Sequence, residues 1–193
     1  IRICDRCKEK RRTQLHYALI GAGGTGGVMG YFMTKAGKDV TLIARGRHLE
    51  AMKEHGLTLE RLWDPNPETI AVKATDMEHY KEQPDVILVC VKGYSLEDTV
   101  PFIRRVAKPD TIVIPILNIY GTGAKLQKEL PELLVTDGCI YVSANIKEPG
   151  VLLQHGKILR IVFGVREKTD WRSELEEIRQ DFTDSAIDGI LSE

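Results

Sequence analysis

Residues 15–26 read L-H-Y-A-L-I-G-A-G-G-T-G, and the fold is decided there. Leu15 to Ile20 is a short apolar run, the pattern of a strand buried on both faces. Gly21-Ala22-Gly23-Gly24-Thr25-Gly26 follows at once and matches G-x-G-x-x-G without deviation. Thr25 to Lys35 then has the length and character of a helix, with Gly37 as its stop. Alone the glycine pattern is weak. Between a strand and a helix it marks a dinucleotide-binding turn. Gly21 is expected to make the turn out of the strand. Gly23 lets the backbone approach a pyrophosphate, and Gly26 lets the helix pack closely on the sheet. The helix N-terminus offers free N–H groups and a partial positive charge to phosphates, and Thr25 adds a hydroxyl. The loop lacks the Gly-Lys-Ser/Thr ending of a triphosphate cradle.

Working outward, Val40 to Ala44 reads as a second strand and His48 to His55 as a short helix closed by Gly56. Leu57 to Leu62 and Ile70 to Ala74 alternate apolar and polar residues and suggest a strand pair, with Pro65 and Pro67 in the turn between them. Asp85 to Val91 is the most apolar stretch and reads as a central parallel strand. Ser95 is placed to cap a helix over Leu96 to Val106. Thr111 to Leu117 is the next strand, Gly121 to Leu130 a helix stopped by Pro131, and Val135 to Val142 a further strand. This alternation predicts an α/β fold with a doubly wound, mostly parallel sheet of the Rossmann type. After Pro149-Gly150, Val151 to Gln154 and Ile158 to Phe163 flank His155-Gly156-Lys157 as a hairpin signal. Trp171 to Phe182 has the spacing of an amphipathic helix.

The end of the second strand carries the cofactor choice. An NAD-specific domain places an Asp or Glu there for the ribose hydroxyls. Here the strand ends Leu42-Ile43-Ala44-Arg45, with Arg47 and His48 close behind and no acid. A carboxylate repels a 2′-phosphate, whereas a guanidinium binds it through a bidentate fork. NADPH is therefore expected over NADH. Arg45 could also stack on the adenine. Ligands of such sheets lie beyond the carboxyl ends of the strands, and two more strands end in polar groups there. Lys92 could hold an anion or order the cofactor, and Asn118 could bond the nicotinamide ribose or a substrate oxygen. Ser143 and Ala144 are small residues where a nicotinamide ring needs room. His155 is assigned to the hairpin turn.

The bulk properties exclude other classes. The 193 residues suffice for one well-cored domain or one domain plus the start of a second. A formal net charge of -1 gives no basic field for nucleic acid or an anionic membrane, and no apolar run approaches the roughly 20 residues of a membrane span. Ile1 to Arg12 is dense in Lys and Arg, and residues 1–13 are set apart as an arm. Cys4 and Cys7 form a lone C-x-x-C in that arm, without the second pair a structural zinc site requires. Cys90 reads as a buried small hydrophobe, Cys139 has similar surroundings, and nothing suggests a disulfide framework. A reducing, cytoplasmic setting is expected.

Taken together, the glycine loop, Ile43-Ala44-Arg45-Gly46-Arg47-His48-Leu49, Val91-Lys92, Asn118, and Pro149-Gly150-Val151 with His155-Gly156 resemble the ketopantoate reductase family. The match runs from about Gln14 to the C-terminus. The resemblance implies NADPH-dependent reduction of 2-dehydropantoate to pantoate, a step toward pantothenate and coenzyme A. It implies cofactor contacts from Gly21, Ala22, Gly23, Gly24, Thr25, Gly26, Arg45, Lys92, Asn118 and Ala144. Lys92 becomes the active-site lysine after the central strand, and Asn118 the asparagine shared by cofactor and substrate. Two departures stand out. Leu117-Asn118-Ile119 replaces the family's usual Gln-Asn-Gly. The family's helical C-terminal domain, which carries the main catalytic lysine, would begin about where this chain ends. Residues 14–184 are accordingly assigned to the cofactor domain and 185–193 to the start of a helical substrate domain, and the chain alone is expected to be inactive. A face of the Trp171 helix would pack on that domain or pair two chains as a homodimer. Two alternatives stay open. One is an NADP-binding sensor or partner module without chemistry of its own, and the other is a different 2-hydroxy acid or sugar-phosphate dehydrogenase.

Overall fold

Every residue of β1 (His16–Ile20) after the first is buried, Tyr17 and Leu19 in one core and Ala18 and Ile20 in another. A strand apolar on both faces belongs inside a parallel sheet, and β1 lies at its centre. The structure is a computed structural model describing residues 14–192, so the arm at 1–13, with Cys4 and Cys7, falls outside the described residues. After β1 come α1 (Gly24–Lys35), β2 (Asp39–Ile43), α2 (Gly46–His55), β3 (Leu57–Arg61), β4 (Asp64–Ile70), β5 (Lys73–Thr75) and β6 (Val86–Val89). Then follow α3 (Val100–Val106), β7 (Ile112–Pro115), α4 (Thr122–Glu129), β8 (Leu134–Val135), β9 (Asp137–Glu148), β10 (Val151–Gly164), α5 (Glu174–Asp184) and β11 (Asp188–Ser192).

The first sheet is six-stranded, in the order β5-β2-β1-β6-β7-β8, with every pair parallel. The chain leaves β1 toward β2 on one side and returns to β6 on the other. This is the doubly wound arrangement, with a switch point between β1 and β6. The second sheet runs β11-β10-β3-β4, and β9 pairs antiparallel with β10. Helix α1 lies between the two sheets. Its glycines make that possible: a Cβ on Gly30 would stand 2.3 Å from Leu42 Cδ2 of the first sheet, and one on Gly27 2.9 Å from Leu152 Cδ1 of the second. The other face of the first sheet is covered by a core that includes Phe102, Ile103 and Leu126 from α3 and α4.

Several elements differ from the sequence expectation. Pro65 and Pro67 lie within β4, not in a turn. β4 ends the second sheet, and an edge strand tolerates residues without an N–H. The segment Ile70–Ala74 divides: Ile70 closes β4, while Lys73–Thr75 becomes β5 beside β2. Ser95 does not cap a long helix. Two 3-10 turns at Gly93–Ser95 and Glu97–Thr99 precede α3, whose first turn holds Pro101, a residue that fits a first turn and no later one. The strand expected over Val135–Val142 divides into β8 and β9 at Thr136. The hairpin turn is Pro149-Gly150, Gly150 having φ +79°, and β10 runs through His155-Gly156-Lys157. Gln154 pairs with Ala144 and Leu159 with Val142, so His155 to Ile158 bulge out opposite Ser143.

Helix α5 begins at Glu174, leaving Trp171 outside it. Its apolar residues Leu175, Ile178 and Phe182 are fully buried within this chain, Phe182 meeting the Phe163 ring edge-on at 5.6 Å. These three side chains pack within this chain, whereas Trp171 stays partly exposed. The last residues do not open a helix, because β11 adds parallel to β10 from Arg160–Asp188 to Gly164–Ser192.

Candidate dinucleotide site

The glycine loop leaves β1 at the switch point, wedged between the ends of β2 and β6. Gly21 donates its N–H to Ile43 O at 2.9 Å and takes φ +99°, a conformation open to glycine and strained for other residues. Cys90 donates its N–H to Ile20 O at 2.8 Å on the other side. The loop closes so tightly that a Cβ on Gly26 would stand 2.1 Å from Gly21 O and 2.8 Å from Cys90 Cβ. Burial holds the Cys90 thiol well above its ordinary pKa, so it packs as a neutral group.

Gly23 is the residue before α1, and nothing lies within 4 Å of the position its Cβ would take. Its N–H takes no acceptor among the described residues. The first turn of α1 holds no acidic residue, so its partial positive charge is uncompensated and faces that open side. Thr25 sits half-buried in the same turn. These features fit a dinucleotide pyrophosphate. Ala144, on β9, comes to the loop from the second sheet with its carbonyl against Gly24.

Arg45 stands at the end of β2 in extended backbone, immediately before α2. It and Arg47 are exposed, and neither guanidinium forms an ion pair among the described residues. The nearest strand end on the outer side is β5, where Thr75 O accepts from the Ala44 N–H at 2.9 Å. The Asp76 carboxylate that follows is engaged by the backbone and ring of His79, which hold its pKa below the ordinary value.

Lys92 and Asn118 follow the ends of two neighbouring strands, β6 and β7. Val89 and Pro115 pair, and each of the two residues stands three positions further along. The side chain of Lys92 is exposed. Asn118 is tied down: its Nδ2 donates to Ile140 O at 3.0 Å, and its Oδ1 accepts from the Ile140 N–H at 3.1 Å. One amide hydrogen remains for a ligand. A groove of about 770 Å³ opens beside it, lined among others by Ile119, Tyr120, Cys139, Tyr141 and Arg166. Ser143 is exposed, and His155, on the bulge rather than in a turn, bonds Asn145 next to Ala144.

The sequence reading passed over the function of one residue. The half-buried His48 ring on α2 bonds the Ala22 carbonyl through Nε2 at 2.9 Å and accepts the Gly150 N–H on Nδ1 at 3.0 Å. It thus joins the glycine loop to the β9–β10 turn. Its presence in the stretch Ile43–Leu49 was the available signal.

Comparison with known proteins bears on this geometry. The family model for ketopantoate reductase PanE/ApbA matches residues 17–168. The chain belongs to the ketopantoate reductase family. Within it, the 2-dehydropantoate 2-reductase of Pyrococcus horikoshii is 31% identical over 176 residues, which are 91% of this chain and 55% of that protein. The crystal structure of 2-dehydropantoate 2-reductase from Porphyromonas gingivalis W83 is 26% identical with a TM-score of 0.81, covering 93% of this chain and 64% of that one. The fold is also that of D-mandelate dehydrogenase, solved as a ternary structure with NADH and anilino(oxo)acetate: 21% identity, TM-score 0.82, 93% of this chain and 57% of that one. The chain spans about half the length of the relatives it matches. The family is one of oxidoreductases. Among the described residues no helix is long and apolar enough to cross a membrane, and no cluster of His, Cys, Asp and Glu is arranged to hold a metal ion.

Proposed function

We propose that this chain is the cofactor-binding part of an NADPH-dependent reductase acting on a branched 2-keto acid, 2-dehydropantoate, to give pantoate. One observation carries the NADPH reading. Just past the end of β2 stands Arg45, exposed and without an ion-pair partner among the described residues, where an NAD-specific site needs a carboxylate. Gly21 to Gly26 would hold the pyrophosphate, Arg45 and Arg47 the 2′-phosphate, and Ala144 would flank the cofactor beside Gly24. NADPH, when bound, supplies the hydride for the keto carbon. Lys92 would attract the substrate carboxylate toward the strand ends, and Asn118 would offer its remaining amide hydrogen to a substrate or ribose oxygen. The proton for the new alkoxide would come from a lysine in the helical half that family members carry.

A second reading keeps the cofactor and changes the acid. Ile119 stands where the family usually has glycine, and the Asn118 amide is committed to Ile140, so a differently shaped 2-keto acid would be reduced. Titration of the chain with NADPH and with NADH, followed by cofactor fluorescence, tests the cofactor half of the proposal. NADPH should bind more tightly, and equal affinity for both would overturn the preference. A panel of branched 2-keto acids offered to the chain joined to a family helical domain tests the substrate half. Absence of turnover with 2-dehydropantoate but turnover with another acid would favour the second reading.

A further inference from the structure

The strongest feature that the cofactor reading leaves unused is the imidazole of His48. It joins two segments far apart in the chain, with Ala22 26 residues before it and Gly150 102 residues after it. The Gly150 N–H can only donate, so Nδ1 must be the unprotonated nitrogen. The ring proton then sits on Nε2, and Nε2–H donates to Ala22 O. Both ring nitrogens are engaged in one way only, which requires the neutral form. Burial of the ring lowers its pKa and favours that form.

The orientation of one peptide plane follows. The Ala22–Gly23 bond is trans, as are all peptide bonds in the described residues. In a trans peptide the carbonyl and the N–H point in opposite directions. With Ala22 O drawn toward α2 by His48, the Gly23 N–H is turned the other way. That N–H has no protein acceptor among the described residues, and the space where a Gly23 Cβ would stand is empty. Glycine is the residue freest to rotate away from this arrangement. Gly21 and Gly23 flank the Ala22 link, so an external anchor has something to restrain.

We propose that His48 is a positioning residue for dinucleotide binding: an Nε2-protonated imidazole, seated on the Gly150 N–H, that holds the Ala22 carbonyl and so presents the Gly23 N–H to a pyrophosphate oxygen. The proposal rests on the cofactor reading above. It concerns the orientation of a donor and not contact with the ligand.

Two measurements on the 193-residue chain test it. Ring nitrogen chemical shifts of His48 at pH 7, without any cofactor, should report a single neutral tautomer with the proton on Nε2. A proton on Nδ1, or averaging between tautomers, overturns the clamp. Dissociation constants for NADPH are then compared among wild type, His48→Gln and His48→Asn. A glutamine amide reaches about where Nε2 lies and keeps the donor to Ala22. An asparagine carbonyl reaches about where Nδ1 lies and keeps only the acceptor for Gly150. Both variants lose one of the two bonds, so a purely structural role weakens binding equally in the two. The proposal expects His48→Gln to bind within about threefold of wild type and His48→Asn to bind about tenfold more weakly, the effect of one oriented hydrogen bond. Equal affinities overturn the positioning role. A wild-type chain that binds neither NADPH nor NADH overturns the cofactor reading and the positioning role with it, and is told apart from failure of the clamp by the tautomer measurement.

Discussion

The carbonyl oxygen of Ala144 lies 2.2 Å from the point where a Cβ on Gly24 would stand. This contact brings the second sheet onto the first turn of α1, at the end of the helix that faces the proposed pyrophosphate. The obstacle to a side chain is backbone, with Ala144 C and Asn145 N also within 3 Å, so no rotamer change relieves it. Gly24→Ala should destabilise the fold by about 1–3 kcal/mol, the usual cost of overpacking, measured by urea unfolding. Cofactor affinity should fall as well, because the helix must move from β9 or the strand from the helix. Unchanged stability would mean that β9 is not held against α1 in solution.

In the proposed reading Arg45 carries the cofactor preference, and its removal should then act on one ligand only. Arg45→Ala is expected to weaken NADPH binding by about tenfold to a hundredfold, equivalent to ~1.5–3 kcal/mol for hydrogen bonds to a charged group. NADH, which has no 2′-phosphate, should bind as in wild type. Arg45→Lys should recover part of the loss, since it keeps the charge without the bidentate fork. An equal loss for both cofactors would move Arg45 from phosphate recognition to adenine stacking.

Asn118 is expected to show a stability effect that a residue serving only substrate would not. Its amide satisfies both backbone groups of Ile140 on the outward edge of β9. Asn118→Ala leaves the part-buried Ile140 N–H and C=O to find other partners, at a cost of about 0.5–1.5 kcal/mol. Asn118→Asp keeps the acceptor and sets a carboxylate against Ile140 O, so it should be no better. The check is thermal or urea unfolding in the absence of any ligand.

The parts of the fold legible in sequence were those whose signal is local. β1, the glycine loop and α1 are contiguous, and each element's pattern agrees with its neighbours. Arg45 was legible for the same reason, because its place at a strand end needs only the strand. The errors arose where a local signal had a tertiary competitor. Gly156 suggested a turn, but β10 runs on and bulges there because β9 pairs with it on both sides of the bulge. Pro65 and Pro67 suggested a turn, but β4 lies at an edge where their missing N–H groups are tolerated. Ser95 suggested a cap, but Pro101 delays the α-helix to Val100. The bonds of His48 and Asn118 were invisible because their partners Ala22, Gly150 and Ile140 are distant backbone groups, which no residue type betrays.

Helix α5 was expected to present its apolar face to another domain, and the structure places that face inside. Phe182 is fully buried against Phe163, with Gly189 of β11 beneath it. Phe182→Ala should therefore cost about 3–5 kcal/mol, as for a large core aromatic, measured on the isolated chain. A change below about 1 kcal/mol would indicate that α5 is loosely held until another surface covers it.

The histidine clamp makes stability depend on pH in a stated direction. Burial lowers the His48 pKa in the folded chain below the ordinary value of 6.5. The groups facing the ring nitrogens are backbone, the Ala22 carbonyl and the Gly150 N–H, and the latter must lose its acceptor when Nδ1 is protonated. The unfolded state therefore binds more protons than the folded state in the interval between the two pKa values, and stability rises with pH there. The contribution is complete above about 6.5. It declines as pH falls below that value and levels off once the pH is under the lower, folded pKa. Carboxylates held low by partners, such as Asp39 with Lys73 and His16, add their own loss at more acid pH. Urea unfolding of wild type and His48→Gln across pH 5 to 8 separates the two effects. The wild type should lose stability relative to the variant as pH falls from about 6.5 toward 5. Parallel profiles would show that the ring is not held neutral by the fold, because a group with one pKa in both states cannot bend the curve.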